Sequence, residues 1–188
     1  MRIAYDFDHE VVYTGEQLRP HWIYRTFDIL GDAIVSFIGK SEVNLDHMID
    51  IQDVKASSPI YSTRMLHFII EHFGASIEEI VLRQRLFICI IQNALNEAMG
   101  ANCVVRKGDD LYYNDGKLSV SIATISPLSG LIHTGLNIES KDAPVKAAGL
   151  LSEMNLNNVN DLALRLMKEY TIEYNQIKNA GYKVKPVN

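Results

Sequence analysis

Polar and apolar positions alternate strictly from residue 117 to 122. Lys117, Ser119 and Ser121 fall on one face of a strand, and Leu118, Val120 and Ile122 on the other. Just before it, Asp115-Gly116 suits the two central residues of a type I′ hairpin turn, which both need positive φ. The pattern predicts a strand over residues 103–113, a tight turn and a returning strand over 117–125. A loop, Ser126-Pro127-Leu128-Ser129-Gly130, leads to a third strand over 131–138. Leu131, His133, Gly135 and Asn137 share one of its faces.

Upstream, Ser76-Ile77-Glu78-Glu79 reads as a capping box opening a long helix. That helix runs to Met99 and stops at Gly100, as glycine-ended helices do. Its middle, Leu86-Phe87-Ile88-Cys89-Ile90-Ile91, is apolar nearly all round and predicts a helix in the middle of the fold. Residues 32–39 read as a buried strand, and residues 64–73 as a strand between turn-like segments. Residues 11–18 and 48–54 are read as short strands, and Ser57-Ser58-Pro59 as a loop. Pro20 opens a helix that ends near Gly31. The tail is helical from residue 143, with Val159, Leu162, Leu166, Tyr170, Tyr174 and Ile177 at helical spacing and Gly181 ending the run. Together these predict an α+β fold: a mixed, largely antiparallel sheet backed by helices, with a helical C-terminal extension. One domain spans residues 1–188, its core over about 10–140 and its extension over about 143–182, with Ser140 to Pro144 as the boundary.

Composition narrows the class. The 188 residues are 47% hydrophobic and 22% charged, enough to bury a real core. A net charge of −5 argues against a nucleic-acid backbone or an anionic membrane as the main partner. The acidic N-terminus is no signal peptide, and the longest apolar run, residues 86–91, is far short of a bilayer span. Two cysteines make no disulfide framework, so a reduced, cytoplasmic protein is expected. No phosphate-binding loop, Gly-x-Ser-x-Gly elbow or His-Glu-x-x-His motif is present.

The candidate chemistry centres on Lys117. A cation with two hydroxyls at alternate positions suits an anionic or carbonyl-bearing ligand, although a half-buried strand with a solvated face gives the same pattern. His133 and Asn137 face the same way as Gly135, and a strand glycine often marks the close approach of a ligand or of another backbone. Arg64 is a further cation, and Arg19 and His21 flank a helix start where N–H groups hold anions. Asp46, Asp50 and Asp53, with His47, offer oxygen ligands for a hard cation but lack the spacing of a metal loop. Cys103 has no evident base beside it and reads as inert.

The order of these segments carries a resemblance. A long helix leads to Arg106-Lys107-Gly108-Asp109-Asp110-Leu111, then Gly116-Lys117-Leu118-Ser119, then Gly135-Leu136-Asn137-Ile138. This resembles the catalytic core of the biotin and lipoate protein ligases, well over about residues 65–138 and loosely over 10–40. The chain as a whole resembles a small, mostly archaeal family of unknown function with that ligase-like, class II synthetase-type fold. Its segments here include Gln17-Leu18-Arg19-Pro20-His21-Trp22, Met65-Leu66-His67-Phe68 and Leu118-Ser119-Val120-Ser121-Ile122-Ala123.

The resemblance places Lys117 at the ligase lysine, which contacts the acyl carboxylate and the adenylate phosphate. A cation is needed there because acid activation gathers negative charge on those oxygens. It places Asp110 at the aspartate that helps hold metal and phosphate, and Asn137 at the late-strand asparagine. Arg106 and Asp109 join the candidate ligand-binding set from the same block. The sequence departs from the ligases in three places. The glycine- and arginine-rich adenylate loop is replaced by the acidic residues 39–64, Asp109 replaces an asparagine, and Val120 replaces a glycine.

The resulting expectation is a small-molecule site for a carboxylic acid or its adenylate, used in acyl activation or transfer. Lys117 and Asp110 would do the chemistry, with Arg64, Arg106, Asp109, Ser119, Ser121, His133, Gly135 and Asn137 binding the ligand. The cofactor is not identified by the residues, and the resemblance allows ATP with Mg²⁺. The competing expectation is a non-catalytic binding or homo-oligomeric assembly module that kept the fold and lost the adenylate loop.

Overall fold

The structure, a computed structural model, describes residues 1–56, 60–141, 143 and 145–187, with the backbone alone at 52, 53, 56 and 60. The predicted loop Ser57-Ser58-Pro59 lies outside the described residues, as does part of the predicted boundary at Ser140 to Pro144.

A five-stranded sheet organises the chain. Its strands are β1 (Arg2–Asp6), β2 (Ala33–Val43), β3 (Ile60–Phe73), β8 (Ser129–Asn137) and β7 (Ser119–Ile125), in that spatial order. β1 runs parallel to β2 and every other pair is antiparallel, so the sheet is mixed and largely antiparallel. β1 belongs to this sheet, so the core begins well before residue 10. A second sheet, β4 (Val104–Lys107), β5 (Asp110–Tyr113) and β6 (Gly116–Lys117), extends the fold at one end.

Strand alternation gives the large sheet two apolar faces. Ile34, Ile38, Leu66, Phe68, Ile70, Ile132 and Leu136 meet Phe87, Ile88 and Ile91 of α3 (Ile77–Met99) and Leu166, Met167 and Tyr170 of α4 (Val159–Tyr182). The opposite face carries Val35, Phe37, Ile69 and Leu131. It is covered by Tyr13, Leu18 and Ile23 from the segment that leads into α1 (Trp22–Phe27). The chain is thus a helical layer, a sheet, and a thin N-terminal cover.

The capping box of α3 forms as expected. The Ser76 hydroxyl accepts from the Glu79 N–H, and the Glu79 carboxylate accepts from the Ser76 N–H at 2.7 Å. The helix is not buried all round, however. Its inner stripe is Ile80, Gln84, Phe87, Ile88, Ile91, Ala94 and Leu95, while Leu82 is exposed. A sheet covers one side of a helix, so the extra apolar residues end half-buried at the flanks.

Other elements differ from expectation. Residues 11–18 form no strand beyond a single bridge between Tyr13 and Ser41. A 3-10 turn at Leu45–His47 and α2 at Ile51–Ala56 stand where a strand over 48–54 was expected. The described residues between 143 and 158 form no helix or strand apart from one bridge, and α4 starts only at Val159, then runs past Gly181 to Tyr182. Residues 103–113 fold into two strands rather than one, with Gly108 at positive φ in the turn between them.

The hairpin turn sits one residue earlier than the sequence suggests. Asn114 (φ 47°) and Asp115 (φ 61°) take the two left-handed positions, which both residue types tolerate. Gly116 serves another purpose. A Cβ there would lie 2.7 Å from the Ala147 carbonyl carbon and oxygen, so only glycine lets residues 146–148 run alongside β6.

Candidate functional site

Lys117 is held from several directions at the junction of the two sheets. Its N–H donates to the Lys146 carbonyl at 2.9 Å, and its carbonyl accepts from the Ala148 N–H at 3.0 Å. The Asn137 side-chain amide donates to the Lys117 carbonyl at 3.1 Å and to the Ala148 carbonyl at 3.3 Å. Asn137 therefore positions the lysine's backbone. With the backbone fixed, the Lys117 ammonium lies 3.0 Å from Asp110 Oδ2, and both side chains keep only about a quarter to a third of their exposure.

The rest of the acidic turn is anchored to α3. Asp109 pairs with Arg85 at 3.1 Å and accepts from the Gln84 amide at 3.1 Å. Arg106 turns back onto the Gly108 carbonyl at 2.6 Å and stays exposed. Arg64 lies at the same end of the large sheet as Asn137, since its neighbour Met65 pairs with Asn137. Its side chain reaches Glu10 at 3.6 Å.

The expected pocket wall is divided between two faces. Ser121 pairs with Thr134 and Ser119 with Leu136, and directly opposed residues share a face. Both serines consequently look toward α3. The Ser119 hydroxyl accepts from the Leu111 N–H at 2.8 Å, and the Ser121 hydroxyl joins the Gln84 amide at 3.0 Å and Thr134 at 3.0 Å. His133 and Gly135 look the other way, toward Tyr13. The alternation was legible in the sequence, but the pairing register that decides which face meets which was not.

That other face is packed. The His133 ring stacks on Tyr13 with centroids 3.8 Å apart, and its Nε2 lies 3.1 Å from Nδ1 of His67. His67 Nε2 lies 3.3 Å from the Gly39 carbonyl. A carbonyl can only accept, so His67 carries its proton on Nε2, its Nδ1 accepts, and His133 donates from Nε2. Both rings are buried, and burial holds the His67 pKa down to about 3, against the pull of the Gly39 carbonyl. Burial, and then the neighbouring His67, holds His133 well below the usual histidine range. Both are neutral groups that hydrogen-bond to one another.

The space freed by Gly135 is also occupied. A Cβ there would lie 2.2 Å from Met65 Sδ and 3.3 Å from Val120 Cγ2. Gly39 is crossed by the main chain of Val11, whose carbonyl oxygen would lie 2.0 Å from a Cβ. These glycines admit neighbours of the same chain. Tyr13 and His67 were not anticipated as parts of this face, because nothing local in the sequence tells which distant aromatic will cover a strand.

The remaining candidates are accounted for individually. Arg19 and His21 make no anion site: the His21 N–H donates to Glu71 Oε1 at 2.9 Å, and α1 is only six residues long. His47 Nδ1 lies 3.3 Å from the Thr14 carbonyl, and the Asp53 side chain lies outside the described residues. Among the described residues no three His, Cys, Asp or Glu side chains gather as a metal site. Cys103 is half-buried just before β4, with its N–H on the Asn96 side chain at 3.0 Å. No helix among the described residues is long and apolar enough to cross a membrane.

Residues 1–185 match a family model described as a domain of unknown function, DUF366. The chain belongs to the DUF366 family. It is 36% identical over 181 residues to the uncharacterized protein MJ0805 of Methanocaldococcus jannaschii, covering 93% of this chain and 80% of that one. The solved structure of a protein of unknown function from Pyrococcus horikoshi superposes with a TM-score of 0.91 at 33% identity, over 100% of both chains. Outside the family, the biotin protein ligase of Aquifex aeolicus in complex with biotin and ATP superposes with a TM-score of 0.65 at 12% identity. That match covers 95% of this chain and 72% of the ligase. DUF366 members of this kind have archaeal homologues and the biotin/lipoate ligase-like fold, as the sequence motifs imply.

Proposed function

We propose that this chain binds a compact small molecule bearing a carboxylate or a phosphate at the rim where Lys117 meets Asp110. The observation that carries the reading is the fixing of Lys117. Its strand is clamped by residues 146–148, its carbonyl by Asn137, and its ammonium by Asp110 at 3.0 Å. A cation held in place before the ligand arrives loses little entropy on binding an anion. Acyl activation or transfer at this position remains the reaction class that such a lysine serves.

Compactness follows from the packed face beside it. Tyr13, His67, His133, Met65 and Val120 fill the sheet face around Gly135. A long acyl group such as biotin, lipoate or octanoate has no room there without displacing buried rings. A divalent ion at Asp110 would need ligand phosphates for most of its coordination shell, because among the described residues no group of three His, Cys, Asp or Glu gathers there and Asp109 is paired with Arg85. ATP with Mg²⁺ therefore belongs in the test alongside the free acids.

The test is a thermal-shift series with acetate, inorganic phosphate, AMP and ATP-Mg²⁺, run on the native chain and on Lys117→Ala. A ligand that binds only the folded state raises the melting temperature. A rise lost in Lys117→Ala supports the reading, and no rise with any compound rejects it.

One observation favours a second reading, a homo-oligomeric assembly module. Toward its C-terminal end α4 leaves Ile172, Ile177 and Tyr182 half exposed or more, spread around the helix. Sedimentation of the purified chain separates the two readings, since a monomer at micromolar concentration removes the second.

A further inference from the structure

At the opposite end of the same sheet face lies a cavity, with a chemistry different from that of the Lys117 rim. Glu71 follows Met65 by six residues along β3, a separation of about 20 Å at strand rise. The cavity measures about 230 Å³ and is lined by His21, Tyr24, Ile29, Leu30, Glu71 and Phe73, with Gly31 at its edge.

Glu71 is the group that gives this cavity a purpose. It is 2% exposed, and its Oε1 accepts from the Ser129 hydroxyl at 2.6 Å and from the His21 N–H at 2.9 Å. Among the described residues Oε2 accepts no hydrogen bond, and no lysine, arginine or histidine side chain pairs with the carboxylate. A buried carboxylate is costly to desolvate unless a cation and further donors meet it. Here two neutral donors hold one oxygen, and the carboxylate opens onto a space walled by aromatic and aliphatic side chains.

We propose that this cavity binds a small organic cation, a primary amine or guanidinium on a short apolar body. The charged head sits against Glu71 Oε2. Phe73, His21 and Tyr24 wall the charged head with aromatic side chains, and Ile29 and Leu30 take the apolar body. The His21 ring stacks on Phe73 with centroids 5.7 Å apart, so the aromatic wall is preformed. The volume suits a body of about four carbons and excludes a peptide helix or a nucleotide. An inorganic ion alone would leave the apolar wall unused.

The test uses n-butylamine and n-butylguanidine as probes, with 1-butanol as the uncharged isostere, in ¹H–¹⁵N correlation spectra of the full chain. Both cations are expected to shift amides of His21, Ile29, Leu30 and Gly31, and 1-butanol to leave them unmoved. Glu71→Gln keeps an acceptor for Ser129 and His21 and removes the charge, and is expected to weaken cation binding at least tenfold. Leu30→Trp, at an exposed position, fills the cavity without touching Glu71 and is expected to abolish the shifts in a chain of unchanged melting temperature. Absence of shifts with saturating amine overturns the proposal. So do shifts matched by 1-butanol or retained in Glu71→Gln. None of these outcomes bears on Lys117, whose ligand is an anion.

Discussion

The Tyr13 and His133 rings stack 3.8 Å apart with planes 14° from parallel. Tyr13 comes from the N-terminal cover and His133 from β8, between β3 and the edge strand β7, so the contact seals the cover onto that face of the sheet. Tyr13 is 3% exposed.

Truncating that ring leaves a cavity between the cover and the sheet. Tyr13→Ala is expected to lower stability by about 3–5 kcal/mol, the usual range for a buried aromatic. Tyr13→Phe keeps the stack and should cost much less. Urea denaturation of the two variants makes the comparison.

Acid should weaken the fold through its buried histidines. The folded pKa of His67 is about 3 against 6.5 for the free side chain, and His133 and His72 are lowered as well, in each case first by burial. The unfolded chain therefore takes up protons that the folded chain refuses. Their contribution is full above pH 6.5 and falls as pH drops toward the folded value. Each such histidine gives a slope of about 1.4 kcal/mol per pH unit in that window. Denaturation midpoints measured from pH 7 to pH 4 should fall, and His67→Gln should flatten the fall.

Crowding around Gly135 has a measurable cost. A Cβ at that position meets Met65 Sδ at 2.2 Å, so Gly135→Ala should destabilise by about 1–3 kcal/mol. Adding Met65→Ala makes room for the new methyl. The double variant should lose less than the sum of the two single losses, which a double-mutant cycle by denaturation measures.

The Lys117–Asp110 pair should matter little to stability. Its side chains keep a quarter to a third of their exposure, and exposed pairs contribute about 0–1 kcal/mol. Lys117→Ala and Asp110→Asn should both melt within a few degrees of the native chain. A much larger loss from either would mark the pair as structural.

Local sequence signals located the frame and missed the long-range choices. The capping box before α3, the glycine stop after it and the alternation along β7 and β8 all appear where the pattern put them. Ordered motifs from Arg106 to Ile138 named the fold, because a hairpin with fixed spacing leaves a fixed trace. The candidate site was legible only in part. Lys117, Asp110 and Asn137 do converge, but Ser119 and Ser121 part from His133 and Gly135 because cross-strand register is invisible in one strand's pattern. Tyr13 and Glu71 carried no local signal, and the motif around His67 did not assign it a role: each acquires its role from residues far away in the chain.

The most direct test of a compact anionic site is a chain-length series. Calorimetric titrations would use non-hydrolysable acyl-sulfamoyl adenosines bearing acetyl, butyryl, octanoyl and biotinyl groups. Binding is predicted for the acetyl compound and should fall away as the acyl chain lengthens, with all binding lost in Lys117→Ala. Octanoyl or biotinyl analogues that bind as tightly as acetyl, or binding indifferent to Lys117, would contradict it.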